Sequence, residues 1–233
     1  MFRFKQFTVH HDLCAMKVGT DGVLLGAWAD VADAGRILDV GCGSGVIALM
    51  LAQRFPMAQI DAVEIDAAAC EQAAANFADS PFARRLQVIH SDVRKYVPAQ
   101  FYDSIVVNPP FFIRSLKSPD ARRSTARHND DLSFTDLLNH SRRLLVADGH
   151  LFLIVPFDAW ESLQAAAVNE QFTLRRKTIV YAIENRPPKR LLLEYSLENS
   201  HQLPTEDRLN IQNADGAYSL SYRELTQAFY LKF

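Results

Sequence analysis

The chain is poor in cysteine, and the little it has forms no pattern. Cys14, Cys42 and Cys70 are the three in 233 residues, with no C-x-x-C pair among them. Neither a zinc site nor a disulfide framework is supported, no metal is expected, and a reducing cytoplasm fits best. No apolar run approaches the roughly 20 residues that cross a bilayer, so no membrane association is expected. Residues 1–6 lack the apolar core and cleavage site of a signal peptide. A basic excess is missing too: 25 Lys and Arg face 27 Asp and Glu, a net charge of −2. That argues against a generic nucleic-acid binder, whose affinity rests on phosphate contacts. There is no internal repeat and no low-complexity tract. What is present, 48% hydrophobic and 22% charged residues, suits one α/β domain (residues 1–233) and is too short for two comfortable ones.

The near-neutral average hides local excess. Between Phe111 and His128 stand Arg114, Lys117, Arg122, Arg123 and Arg127 against Asp120 alone. Smaller clusters follow at Arg175-Arg176-Lys177 and at Lys189-Arg190, just after Arg186. A local basic rim of this kind can still meet RNA.

From residue 36 onward, short apolar runs alternate with helical patterns, the mark of a parallel sheet with crossover helices. Strands are expected at Arg36–Val40, Gln59–Glu64, Leu86–His90, Tyr102–Val107 and residues 149–155. Helices are expected at 45–55, 67–79, 134–146 and 158–169, the last with Asp158 as a possible N-cap. The runs Thr173–Ile183 and 190–197 follow one another without a helix, which predicts an antiparallel finish to the sheet. Two stretches fall outside the alternation: an N-terminal segment, 1–35, and a connection at 112–131 long enough to be functional.

Four strand ends carry chemistry. Gly41-Cys42-Gly43-Ser44-Gly45 follows a strand and opens a helix, where glycines let backbone approach a ligand and free N–H groups await it; a tight structural turn is the alternative. Glu64, about 20 residues on, can accept hydrogen bonds from both hydroxyls of a ribose. Asp66 reads as an N-cap for the next helix. Asp92 can accept from an adenine amino group or cap a turn. Asn108-Pro109-Pro110-Phe111 ends a strand on a rigid turn that offers an amide, a fixed carbonyl and an aromatic face. That trio suits a planar group bearing –NH2. All four lie at the carboxyl ends of parallel strands, where open α/β sheets bind ligands.

In this order the four elements resemble the class I S-adenosylmethionine-dependent methyltransferases, in their amino-methylating branch. Residues 17–28 (KVGTDGVLLGAW), Ala126-Arg127-His128 and the C-terminal Phe229-Tyr230-Leu231-Lys232-Phe233 extend the resemblance to the bacterial valine-tRNA adenine-N6 methyltransferases, over essentially the whole chain. The resemblance implies a Rossmann-like class I fold, with a mostly parallel seven-stranded sheet and an antiparallel C-terminal strand. It implies S-adenosyl-L-methionine as cofactor and a tRNA as partner, methylated at N6 of the adenosine beside the anticodon by a monomeric enzyme. Asp39, Gly41, Gly43 and Gly45 would hold the amino-acid part of the cofactor, Glu64 its ribose and Asp92 its adenine. Thr20, Asp21 and Gly22 would line the methionine end, although small packing residues at a helix start explain residues 19–26 as well.

At the acceptor, the Asn108 oxygen and the Pro109 carbonyl would take the two amine hydrogens, drawing nitrogen towards sp3 and freeing its lone pair. Asn108 therefore counts with both the catalytic and the cofactor set. Pro110 would stiffen the turn and Phe111 would stack on the base. Placement and electrostatics would carry most of the rate, without a strong base. Arg114, Arg122, Arg123 and Arg127 would grip flanking phosphates of a loop whose base is turned out, or form a merely solvated loop. His128 is a structural or phosphate-contacting residue rather than a base. The same turn would serve guanine N2 of ribosomal RNA or a glutamine amide. A non-catalytic RNA-binding protein on this fold is the reading of a different class.

Overall fold

The computed structural model describes residues 1–31, 34–109, 132–198 and 202–232. Its centre is a run of parallel strands: β3 (Arg36–Val40), β4 (Gln59–Glu64), β5 (Leu86–His90), β6 (Tyr102–Val107) and β7 (Leu145–Pro156). β3, β4 and β6 read almost without alternation, because crossover helices cover both faces of a parallel sheet. Helices α1 (Thr20–Trp28), α2 (Val46–Arg54) and α3 (Ala67–Ala78) lie on one face; α4 (Phe134–Leu144) and α5 (Trp160–Asn169) cover the other. Asp66 caps α3, accepting from the Ala69 N–H at 2.8 Å, as its position predicts. Ser133 opens α4 through a reciprocal capping box with Asp136.

The sheet order is β10-β8-β9-β7-β6-β3-β4-β5, with β8 at Thr173–Ile183, β9 at Arg190–Ser196 and β10 at Thr205–Gln212. β9 is antiparallel to both neighbours. The expected mixed α/β sheet is therefore present, with one strand more than the seven anticipated. β10 pairs in parallel with β8, after which α6 (Leu220–Thr226) folds back beside α1. A second difference concerns Asp158: a 3-10 turn, Phe157–Ala159, precedes α5, and Ala159 holds the N-cap position. The backbone there is already turning, so no side-chain cap is formed.

Ahead of the sheet, β1 (Phe2–Arg3) and β2 (Thr8–Val9) form a short hairpin. It is tied to the opposite end of the chain, since the Lys5 N–H donates to the Phe229 carbonyl at 2.8 Å and Lys5 Nζ to that of Gln227 at 2.6 Å. α1 crosses α2 at close range through its glycines. A Cβ on Gly26 would stand 2.9 Å from Met50 Sδ, and one on Gly22 would stand 3.2 Å from Val46 Cγ1. The packing role suggested for these small residues is thus realised, and it pins the first turn of α1 against the start of α2.

Candidate active site

The chain leaves β3 towards β4 and β5 on one side, and returns to β6 and β7 on the other. β3 and β6 are neighbours, with Val40 paired to Val107. The residues that follow those two, Gly41 and Asn108, consequently emerge side by side, with strands about 4.8 Å apart. This is the topological switch point at which doubly wound sheets bind ligands.

The glycine loop is an open cradle. Gly41, Gly43 and Gly45 all take positive φ, at 67°, 54° and 79°. A Cβ at Gly41 or Gly43 would meet nothing within 4 Å, whereas one at Gly45 would collide with the Phe77 ring. Gly45 is thus needed for helix packing, and the other two leave free space in front of bare backbone. Gly41 and Cys42 donate to the Val63 carbonyl, at 2.8 and 3.3 Å, which fastens the loop to the end of β4.

Glu64 supplies the second tie. Its Oε2 accepts from the Gly43 N–H at 2.8 Å, and its Oε1 accepts from Ile65 and Asp66 at 2.8 and 3.0 Å. The carboxylate thus sits between loop and strand end. Ile65, next to it, is 61% exposed and presents an apolar side chain. Asp92 lies beyond the end of β5 and is engaged by Arg94, whose Nε lies 3.0 and 2.8 Å from its two oxygens. The Arg94 guanidinium holds the Asp92 carboxyl below the usual carboxylate range. The turn-capping alternative is also realised: Asp92 Oδ1 accepts from the Arg94 N–H at 2.9 Å.

Asp39 is fully buried at the end of β3. One oxygen accepts from the Ala48 N–H in the first turn of α2 at 3.1 Å; the other has no partner among the described residues. Burial pushes its pKa up to about 7, against the lowering effect of the Ala48 N–H and with a smaller push from Glu64. An unfolded aspartate titrates near 3.9, so between about pH 4 and 7 the folded chain binds more protons than the unfolded one. Stability contributed here is fully present at the acid end of that window and falls as pH rises. Asp39→Asn should gain melting temperature relative to the parent between about pH 5 and 8. Parallel melting curves across that range would refute the assignment.

In the first turn of α1, Thr20 is exposed, Gly22 is packed and Asp21 is ion-paired with Arg190 at 2.8 Å. Asn108 is half-buried and Pro109 buried; the Asn108 amide has no hydrogen-bond partner among the described residues. Pro110, Phe111, Arg114, Arg122, Arg123, Arg127 and His128 lie outside the described residues. A cavity of about 470 Å³ lined by residues 80–85 sits away from these strand ends and brings together none of the predicted residues.

Two amides that sequence reasoning missed hold the site together. Asn76 of α3, 1% exposed, donates to the His10 and Ser44 carbonyls at 2.7 and 2.8 Å and accepts from the His10 N–H at 2.9 Å. Gln72, one turn earlier, accepts from Leu13 at 3.3 Å. Together they strap residues 10–13 over α3 and the glycine loop. Their signal was there: two amides at i, i+4 facing inward on an otherwise alanine-rich helix. The three cysteines are free and buried, and burial raises the pKa of each thiol, which leaves them protonated rather than nucleophilic.

A glycine cradle, a carboxylate at the next strand end and an amide turn beside them define a nucleoside-cofactor transferase. The sequence matches the family described as the methyltransferase small domain over residues 17–172. The protein belongs to that family and is an enzyme that uses S-adenosylmethionine as methyl donor. It is 50% identical to the tRNA1(Val) (adenine(37)-N6)-methyltransferase of Parabacteroides distasonis, over 99% of this chain and 98% of that one. It is 46% identical to the protein of the same name from Bacteroides fragilis, over 99% and 98%. Among solved structures, a predicted O-methyltransferase from Agrobacterium tumefaciens, protein Atu636, superposes with a TM-score of 0.71 at 20% identity, covering 90% of this chain and 96% of that one. That likeness speaks for the fold alone. No helix among the described residues is long and apolar enough to cross a membrane.

Proposed function

We propose that the enzyme methylates N6 of an adenosine in tRNA, adenine 37 of a valine tRNA, as the names of its relatives describe for them. The observation that carries this reading is the juxtaposition of Gly41 and Asn108 at the β3–β6 switch point. A cradle for a nucleoside and a turn for an amine thereby meet at one place.

The open space before Gly41 and Gly43 accommodates the amino-acid end of S-adenosylmethionine, with Asp39 behind it and Thr20, Asp21 and Gly22 at the rim. Glu64 Oε2 keeps one lone pair beyond its contact with the Gly43 N–H for the ribose, and the exposed face of Ile65 suits one side of the adenine. Asp92 reaches the adenine amine by sharing its oxygens with Arg94. When bound, the cofactor supplies an electrophilic methyl group on a sulfonium. The chain's own contribution lies at the acceptor. Asn108 Oδ1 and the Pro109 carbonyl accept the two N6 hydrogens and localise the nitrogen lone pair, and Phe111 stacks on the base. The methylated amine is acidic and loses its proton to water, so no side-chain base is needed. Arg114, Arg122, Arg123, Arg127 and His128 hold the flanking strand.

We read residues 1–233 as one domain, monomeric and cytoplasmic, without a metal; three free, buried thiols favour a reducing compartment. The test is to incubate the protein with labelled S-adenosylmethionine and total RNA lacking the modification, then map the product. N6-methyladenosine in the anticodon loop of a valine tRNA is expected. Label in guanine, or in protein alone, would overturn the reading.

A further inference from the structure

The basic clusters outside 111–128 divide sharply once ion pairs are drawn. Arg175 faces Glu198 at 3.9 Å, and Arg176 faces Asp207 at 3.6 Å while its guanidinium lies 4.4 Å from the Trp28 ring centroid. Lys177 pairs with Glu206 at 2.6 Å, and Arg190 with Asp21 at 2.8 Å. Each of these cations is neutralised within the fold. Arg186 and Lys189, in the turn between β8 and β9, are exposed and make no side-chain ion pair or hydrogen bond among the described residues. Glu184 in the same turn directs its carboxylate to the Ala214 N–H.

The turn is rigid and well placed. Asn185 takes a left-handed conformation at φ 61°, two prolines follow Arg186, and the Arg186 N–H closes onto the Ile183 carbonyl at 3.2 Å. Its base is braced by the Glu184 N–H on Gln212 of β10 and by the Phe157 N–H on the Lys189 carbonyl, at 2.8 and 3.2 Å. Register fixes the position: Val107 faces Leu153 on β7, and Pro156 of β7 faces Arg190. Asn108 and Arg190 are therefore two strand spacings apart sideways, roughly 10 Å, and about 7 Å apart along the strands. The free charges stand on the catalytic edge, a few nucleotides from a base held at Asn108.

We propose that Arg186 and Lys189 form a second phosphate-contacting element for the RNA substrate, on the opposite side of the catalytic turn from the glycine loop. This rests on the tRNA reading above. A bidentate guanidinium and a mobile ammonium on a stiff turn suit the backbone of a strand rather than its bases.

The test measures steady-state tRNA methylation as salt is varied, for the parent and the Arg186→Gln/Lys189→Gln double variant. The double variant should raise KM for tRNA about tenfold and flatten the dependence of log affinity on log salt by about one to two charges. Turnover at saturating tRNA and S-adenosylmethionine affinity should be retained. Arg175→Gln, which removes a paired cation, should leave the slope as it is, and Lys189→Gln alone should give about half the flattening. A double variant that melts like the parent and keeps its KM and slope would overturn the proposal. Parent protein that fails to methylate tRNA at all would instead sink the functional reading.

Discussion

Asn108→Ala is expected to cut turnover by about two to three orders of magnitude, the loss typical of removing one pre-positioned polar group from a transition state. Asn108 follows the strand pair Val40–Val107 directly, and its side chain makes no hydrogen bond among the described residues. The variant should therefore melt like the parent and bind S-adenosylmethionine with only a modest loss. Single-turnover methylation with saturating cofactor and RNA measures the effect cleanly. Turnover comparable to the parent would remove the amide from the mechanism. Asn108→Asp sharpens the test: a carboxylate still accepts hydrogens, but it brings a charge into the crevice beside the glycine loop.

Glu64→Gln should be the most damaging change on the cofactor side. The carboxylate accepts from three backbone N–H groups, those of Gly43, Ile65 and Asp66. A glutamine can turn only one oxygen towards them, leaving its –NH2 to face an N–H donor at the other end. Hydrogen bonds to a charged group are worth about 1.5–3 kcal/mol each, and an unmet buried donor costs about 1–3 kcal/mol. The loop that cradles the cofactor is one of the groups released. Equilibrium binding of S-adenosylmethionine should weaken by about two orders of magnitude, with a melting temperature lower in the absence of cofactor. Parent-like affinity in Glu64→Gln would show that neither the carboxylate nor its tie to the Gly43 loop contributes to cofactor binding.

The central sheet was readable because buried parallel strands are nearly continuous apolar runs that stop abruptly. Arg36–Val40 stops at a glycine loop, Gln59–Glu64 at acids and Tyr102–Val107 at Asn-Pro, and the observed bounds agree. β10 was not readable. Its sequence, TEDRLNIQ, is that of a polar edge strand with Leu209 its one buried residue, and edge strands carry charge to discourage further pairing. The order of the site residues could be seen, but their ties could not. Glu64 holding Gly43 spans 21 residues, Asn76 holding His10 spans 66, and Arg190 holding Asp21 spans 169. Such links form only after the chain has folded, which is also why the basic clusters looked alike in sequence and proved unlike in charge.

The bond between Lys5 and Phe229 has a consequence for synthesis on the ribosome. The parallel sheet can assemble as its strands emerge, but the β1–β2 hairpin lacks its bonds to Gln227 and Phe229 until the chain has passed α6. Phe4 of that hairpin packs beside Tyr230, so it is covered in full only after the whole sheet has emerged, whereas Phe7 also meets Phe82. For much of translation that hairpin therefore keeps apolar surface open, the kind of surface that chaperones cover.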